Sequence, residues 1–124
     1  MIQPIRLHGT TDALGDATIT SDLKVTGLLH AVEWTDGDTA AGVDFVLSQV
    51  RDNGAADITL LTATNANADA VFYPRYLAQD NAGADLDTAG DATYTRAFIN
   101  GKLKLVIDEG GDKKSGGVTV YYEV

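Results

Sequence analysis

Catalysis needs a nucleophile beside a base, or metal ligands that converge, and this chain offers few candidates for either. Its only histidines are His8 and His30, 22 positions apart and each inside its own extended run. Ser21, Ser48 and Ser115 lack the strand–turn–helix context that activates a serine. With no catalytic residue to name, the chain reads as a non-enzyme. The stretch Gly110–Gly117, GGDKKSGG, has the composition of a phosphate loop but not its spacing, and no helix follows it. It reads as a flexible hairpin loop. Asp36 and Asp38 share one loop and Asp85, Asp87 and Asp91 another. Carboxylates of this kind bind calcium, but no terminal Glu completes an EF-hand pattern, so they read as solvated acidic loops. No metal or cofactor is assigned. Tyr73, Arg75 and Tyr76 flank Pro74, and Tyr and Arg are the residue types favoured at contact surfaces. We take these three as candidate partner-contact residues, against the plainer reading that they pack a core. Tyr73 and Tyr76 beside Asp80 would also serve as an aromatic platform for a sugar.

The rest of the composition limits the partners. Acids outnumber bases 18 to 9, a net charge of -9. Such a surface repels phosphate backbones and anionic membranes. Of the acids, 15 are Asp, which favours turns, and 3 are Glu, the helix former. Cysteine is absent, which removes disulfides and thiolate metal sites. Met1–Thr11 has no apolar core of a signal peptide, and no apolar run is long enough to span a bilayer. The expectation is a soluble protein made in a cytoplasm.

The elements follow from a period of two. Ala17, Ile19, Ser21, Leu23 and Val25 share one parity, and Leu28, His30, Val32 and Trp34 form the next inward stripe. Val43–Ser48 ends at the turn Asp52-Asn53-Gly54, and Ile58–Thr62 is a short β-rich segment. Pro74 places Val71–Leu77 at a sheet edge or an irregular crossing, because it has no amide proton for a ladder. Residues 80–91 read as a long exposed loop. Asn100-Gly101 between two extended runs predicts a type I′ hairpin, and Glu109–Gly117 a second hairpin between the last two strands. Valines on one face of Val118–Val124 and Tyr121 on the other suit a strand covered on both sides. With Ile2–His8 added, the expected fold is all-β: one domain, residues 1–124, a β-sandwich of about eight short strands. A jelly roll is one arrangement it allows.

The runs VTGLLHAVEW, FYPRYL and INGKLKLVIDEGGDKKSGGVTVYYEV together resemble the small capsid decoration (cement) proteins of tailed bacteriophages. The likeness lies in Gly27–Trp34, Leu103–Ile107, Gly110–Lys114 and Val118–Tyr122, and in size. It implies a non-enzymatic virion protein on the outer capsid surface that binds and stabilises the major capsid shell, often as a homotrimer. The competing expectation is a glycan-binding β-sandwich module on a virion or tail appendage. A third is a calcium-stabilised β domain.

Overall fold

The computed structural model describes residues 1–88 and 91–124, and the side chains of all of these except 87, 88 and 91. Its strands are β1 (Ile2–Thr10), β2 (Ala17–Thr20), β3 (Val25–Thr35), β4 (Asp44–Val50), β5 (Ile58–Ala63) and β6 (Ala70–Phe72). They continue with β7 (Tyr76–Leu77), β8 (Asp87–Thr88), β9 (Asp91–Ala92), β10 (Tyr94–Thr95), β11 (Phe98–Asp108) and β12 (Ser115–Glu123). Sheet A runs β1-β12-β3-β6 and sheet B runs β2-β11-β4-β5, every pairing antiparallel. The pairs β4·β5, β3·β6, β2·β11 and β1·β12 nest about the turn at residues 51–57. A single long hairpin has rolled up on itself, which is the jelly roll.

Cross-strand partners point to one side of a sheet, so the register identifies the buried rows. In sheet A these are Leu7, Val118, Trp34, Ala70 and, one row on, Ile5, Val120, Val32, Phe72. Sheet B contributes Phe45, Leu47, Leu103, Leu105 and Ile107, all at most 1% exposed. The Trp34 ring from sheet A stacks on the Phe45 ring from sheet B at 4.5 Å, and Phe72 meets Phe45 edge-on at 6.0 Å. The indole N–H is buried, so it needs an acceptor, and it donates to the Ala66 carbonyl at 2.8 Å. One core serves both sheets.

Four details differ from the sequence-based expectations. Asn100-Gly101 is no turn: both residues lie inside β11. Here β11 leaves β3, which it pairs through Phe98–Gly101, and joins β4 from Lys102 onward. Glycine sits there because backbone closes on it. A Cβ on Gly101 would lie 2.4 Å from the Val50 carbonyl oxygen.

The inward stripe of β3 is the second. A bulge between Tyr121 and Tyr122 matches Ala31 with Tyr121 and Leu29 with Tyr122, leaving His30 without a partner. The parity therefore flips, and Leu29 (0% exposed) faces the core in place of Leu28 and His30. Leu23, placed on an inward row by its parity, is 76% exposed, because β2 ends at Thr20.

Third, β11 and β12 are not a hairpin; past Gly101 they lie in different sheets, and residues 109–114 cross between them. That crossing is tied down rather than flexible. Thr11 N donates to Lys114 O at 2.8 Å, Gly110 N to Gly15 O at 2.8 Å and Ala40 N to Gly110 O at 3.0 Å. Fourth, the expected 80–91 loop carries short ladders, β7 with β10, β8 with β9 and a bridge Gln79–Asp85.

Gly101→Ala should destabilise the domain by about 1–3 kcal/mol, because the new methyl would run into the Val50 carbonyl, which is backbone and cannot turn aside. Urea unfolding measures this; an unchanged midpoint would mean the crossing is slack.

Candidate functional site

Rows that alternate with the buried ones must face outward, and in sheet A they are unusually apolar. The first is Arg6, Thr119, Glu33, Val71, the second Pro4, Tyr121, Ala31, and the third Ile2, Glu123, Leu28, Phe98. Phe98 is 63% exposed, Val71 49% and Ile2 43%. His30, pushed out by the bulge, meets the Tyr73 ring edge-on at 6.3 Å, and that ring is 62% exposed. Arg75 Nη1 donates to the Pro74 carbonyl at 2.7 Å and to the His30 carbonyl at 3.2 Å, so its guanidinium is held at the edge of this face.

The charges here differ from those of the whole chain. Arg96 Nη2 lies 2.8 Å from Glu123 Oε1, and that hydrogen bond holds the Glu123 carboxyl below its ordinary range. Arg6, Arg75 and Arg96, three of the four arginines in the sequence, stand on or beside the face, with only Glu33 and Glu123 as acids in its rows. The acidic excess is carried elsewhere.

Of the three residues singled out in the sequence, Tyr73 and Arg75 belong to this face and Tyr76 does not. Tyr76 is half-buried, and its hydroxyl donates to the Leu60 carbonyl on the edge strand β5. Burial pushes its phenol upward. Asp80 is also committed: its Oδ1 accepts the amides of Ala82 at 2.8 Å and Ala84 at 3.0 Å. The proposed Tyr73–Tyr76–Asp80 platform is therefore not assembled. Leu28 and Phe98 were not singled out, and Tyr121 entered only as the outer side of a strand covered on both faces. Their signal was weak, since one residue from each of three strands becomes a patch only through the register.

Two further features of the described surface carry titratable groups. A groove of about 360 Å³ is lined by Arg6, His8, Thr10, Thr35, Gly37 and Ser115. Arg6 Nη2 and His8 Nδ1 are 3.2 Å apart, and His8 Nε2 is buried without a partner. Burial, and then the Arg6 charge, lower the His8 pKa, so the neutral ring is favoured. His8 thus faces Arg6 while His30 faces Tyr73.

The second is an acidic cluster, with carboxylate oxygens of Asp44, Asp108 and Glu109 all within 4.8 Å of one another. The neighbouring Asp108 carboxylate also raises the Asp16 pKa, since it can accept a hydrogen bond from the protonated Asp16 and repels the ionised one. Three such groups could ligate a cation, but nothing beyond the acids themselves marks a site. In the loops named for calcium, the described carboxylates each make a contact of their own. Asp38 Oδ1 accepts the Ser115 amide at 2.7 Å, Asp36 accepts the Thr39 hydroxyl, and Asp85 Oδ1 accepts from Gln79 at 3.1 Å. The side chains of Asp87 and Asp91 lie outside the described residues.

No family model and no curated protein matches the chain. Among solved structures it is similar to CBM32-3 from a family 31 glycoside hydrolase of Clostridium perfringens. That match has 14% identity and a TM-score of 0.42, over 94% of this chain and 74% of that one. It is also similar to TmCBM61, solved in complex with β-1,4-galactotriose, with 12% identity and a TM-score of 0.38, over 98% and 79%. The strand pairing itself defines the sandwich.

Because the folded state raises the Asp16 pKa, the stability linked to it is full below the unfolded value. It is lost as pH rises through the folded value. Asp16→Asn should therefore raise the melting temperature at neutral pH, with the gain vanishing once the carboxyls are protonated. Melting curves across that range test it. A variant less stable at neutral pH would show that the ionised Asp16 is wanted there.

Proposed function

We propose that this chain is a non-enzymatic binding domain whose working surface is the outer face of sheet A. The observation that supports this is the group Ile2, Leu28, Phe98, Val71 and Tyr73, apolar and aromatic side chains on the outer face of an acidic chain, with Glu123 in their midst paired to Arg96. Soluble monomers rarely leave such a patch without use for it. Its aliphatic share fits a protein partner best, since a sugar would call for polar groups in those places. Taken with the resemblance noted in the sequence, that partner is a phage major capsid protein. The domain would then be a decoration protein on the outer surface of the virion, made in the bacterial cytoplasm and associating as a trimer. One local feature favours the glycan-binding alternative: the exposed Tyr73 ring has His30 on one side and the Arg75 guanidinium nearby.

Single substitutions separate the two. Phe98→Asp should weaken co-sedimentation with the capsid shells of the chain's own source by about 30-fold or more, as for a central interface aromatic. Tyr73→Ala should abolish any signal on a saccharide array and affect shell binding less. A folded native chain that binds neither shells nor saccharides would end both readings. Light scattering of the chain in solution and on shells reports the trimer.

A further inference from the structure

The sequence contains two Asn-Gly pairs, Asn53-Gly54 and Asn100-Gly101, and the fold gives them opposite surroundings. An asparagine followed by glycine is chemically vulnerable. The glycine amide nitrogen can attack the asparagine Cγ, because no side chain obstructs it. We propose that Asn53 is a self-modification site of this protein, a slow intramolecular deamidation in the β4–β5 turn, and that Asn100 is protected from the same reaction by the sandwich.

The balance is complete with water as the only co-reactant. The Gly54 nitrogen bonds to Asn53 Cγ and loses its proton to solvent, the Cγ–NH2 bond breaks, and ammonia leaves. Water then opens the resulting five-membered imide at either carbonyl, giving aspartate or isoaspartate. The product carries one new negative charge, and in the second case one additional backbone atom.

The turn is arranged for the first step. Asn53 and Gly54 are both exposed, and Gly54 has φ of +75° with nothing within 4 Å of where a Cβ would stand. Its peptide can rotate without displacing a neighbour. Asn53 Oδ1 accepts the Ala55 amide at 3.0 Å, which folds the carboxamide back over the Gly54 peptide and polarises its carbonyl. The side chain is exposed, so water can reach the carboxamide.

Asn100 has the same chemistry and none of the freedom. Its backbone carbonyl accepts Gln49 Nε2 at 2.9 Å, and its Oδ1 accepts the Thr26 hydroxyl at 3.3 Å. Gly101 is buried, with β3 on one side and the Val50 carbonyl on the other. Cyclisation there would need the sandwich to open locally at its crossing strand.

The modification also has a consequence for its surroundings. The turn begins at Asp52, which pairs with Lys24, and Arg51 Nε donates to the Ala56 carbonyl at 2.7 Å. A carboxylate at position 53 would compete with Asp52 for Lys24.

The test is peptide mass analysis of the folded protein held at mildly alkaline pH, with the denatured chain as reference. Asn53 should convert, with isoaspartate among the products, and Asn100 should convert at least ~10-fold more slowly than Asn53 while folded. In denaturant the two rates should become similar. Asn53→Gln should remove the fast phase and leave the melting temperature in place. Equal rates at the two asparagines in the folded protein would overturn the proposal. So would an Asn53 no faster in the folded chain than Asn100, with both reacting in denaturant.

Discussion

One strand belongs to both sheets, and the sandwich depends on how it gets from one to the other. β11 begins against β3 in sheet A and continues between β2 and β4 in sheet B. The change of partners occurs at Gly101, where backbone approaches too closely for any side chain. From there Leu103, Leu105 and Ile107 line the core from the sheet B side, while Leu29, Val32 and Trp34 line it from sheet A. A buried polar residue supports the crossing. Gln49 is only 6% exposed, and its buried amide is satisfied by donating to the Asn100 carbonyl.

The outer face of sheet A depends on the same construction. Phe98 joins the row of Ile2 and Leu28 only because the first residues of β11 still lie in sheet A. His30 reaches the surface only because the bulge in β3 removes it from the ladder. The apolar face and its aromatic corner are thus products of two irregularities, one a change of sheet and the other an added residue. Both occur where regular pleating would have buried these side chains or placed them apart.

Much of this was legible in the residues, and what was not has definite causes. β4 and β5 were legible as short apolar runs about Asp52-Asn53-Gly54, although β5 changes parity at Leu60, which has no partner in β4. Alternation located β12 well, because that strand keeps one parity along its length. It failed in β3, since a bulge changes parity without changing composition. Asn100-Gly101 carries the strongest local hairpin signal in the chain, yet tertiary packing uses that glycine for close approach and overrides it. Glu109–Gly117 read as a hairpin loop because glycines permit one. Consecutive strands placed in opposite sheets leave no trace in local sequence. At the site, Tyr73 and Arg75 were visible as an aromatic–cation pair around a proline. Tyr76 looked equivalent to Tyr73, and only the position of the Leu60 carbonyl separates their roles.

The place of β12 at the centre of sheet A bears on how the chain acquires its structure. Until residues 115–123 are available, β1 has no neighbour in its sheet and β3 lacks one of its two long flanks. The β4–β5 turn and the β3·β6 pair can close early, but sheet A is complete only once residues 115–123 insert between β1 and β3. Loop closure over such separations is slow, and the exposed edges of the waiting strands are open to the wrong partners. Sheet A is therefore completed late in the folding of this domain, and its strand edges are most exposed in the interval before β12 inserts.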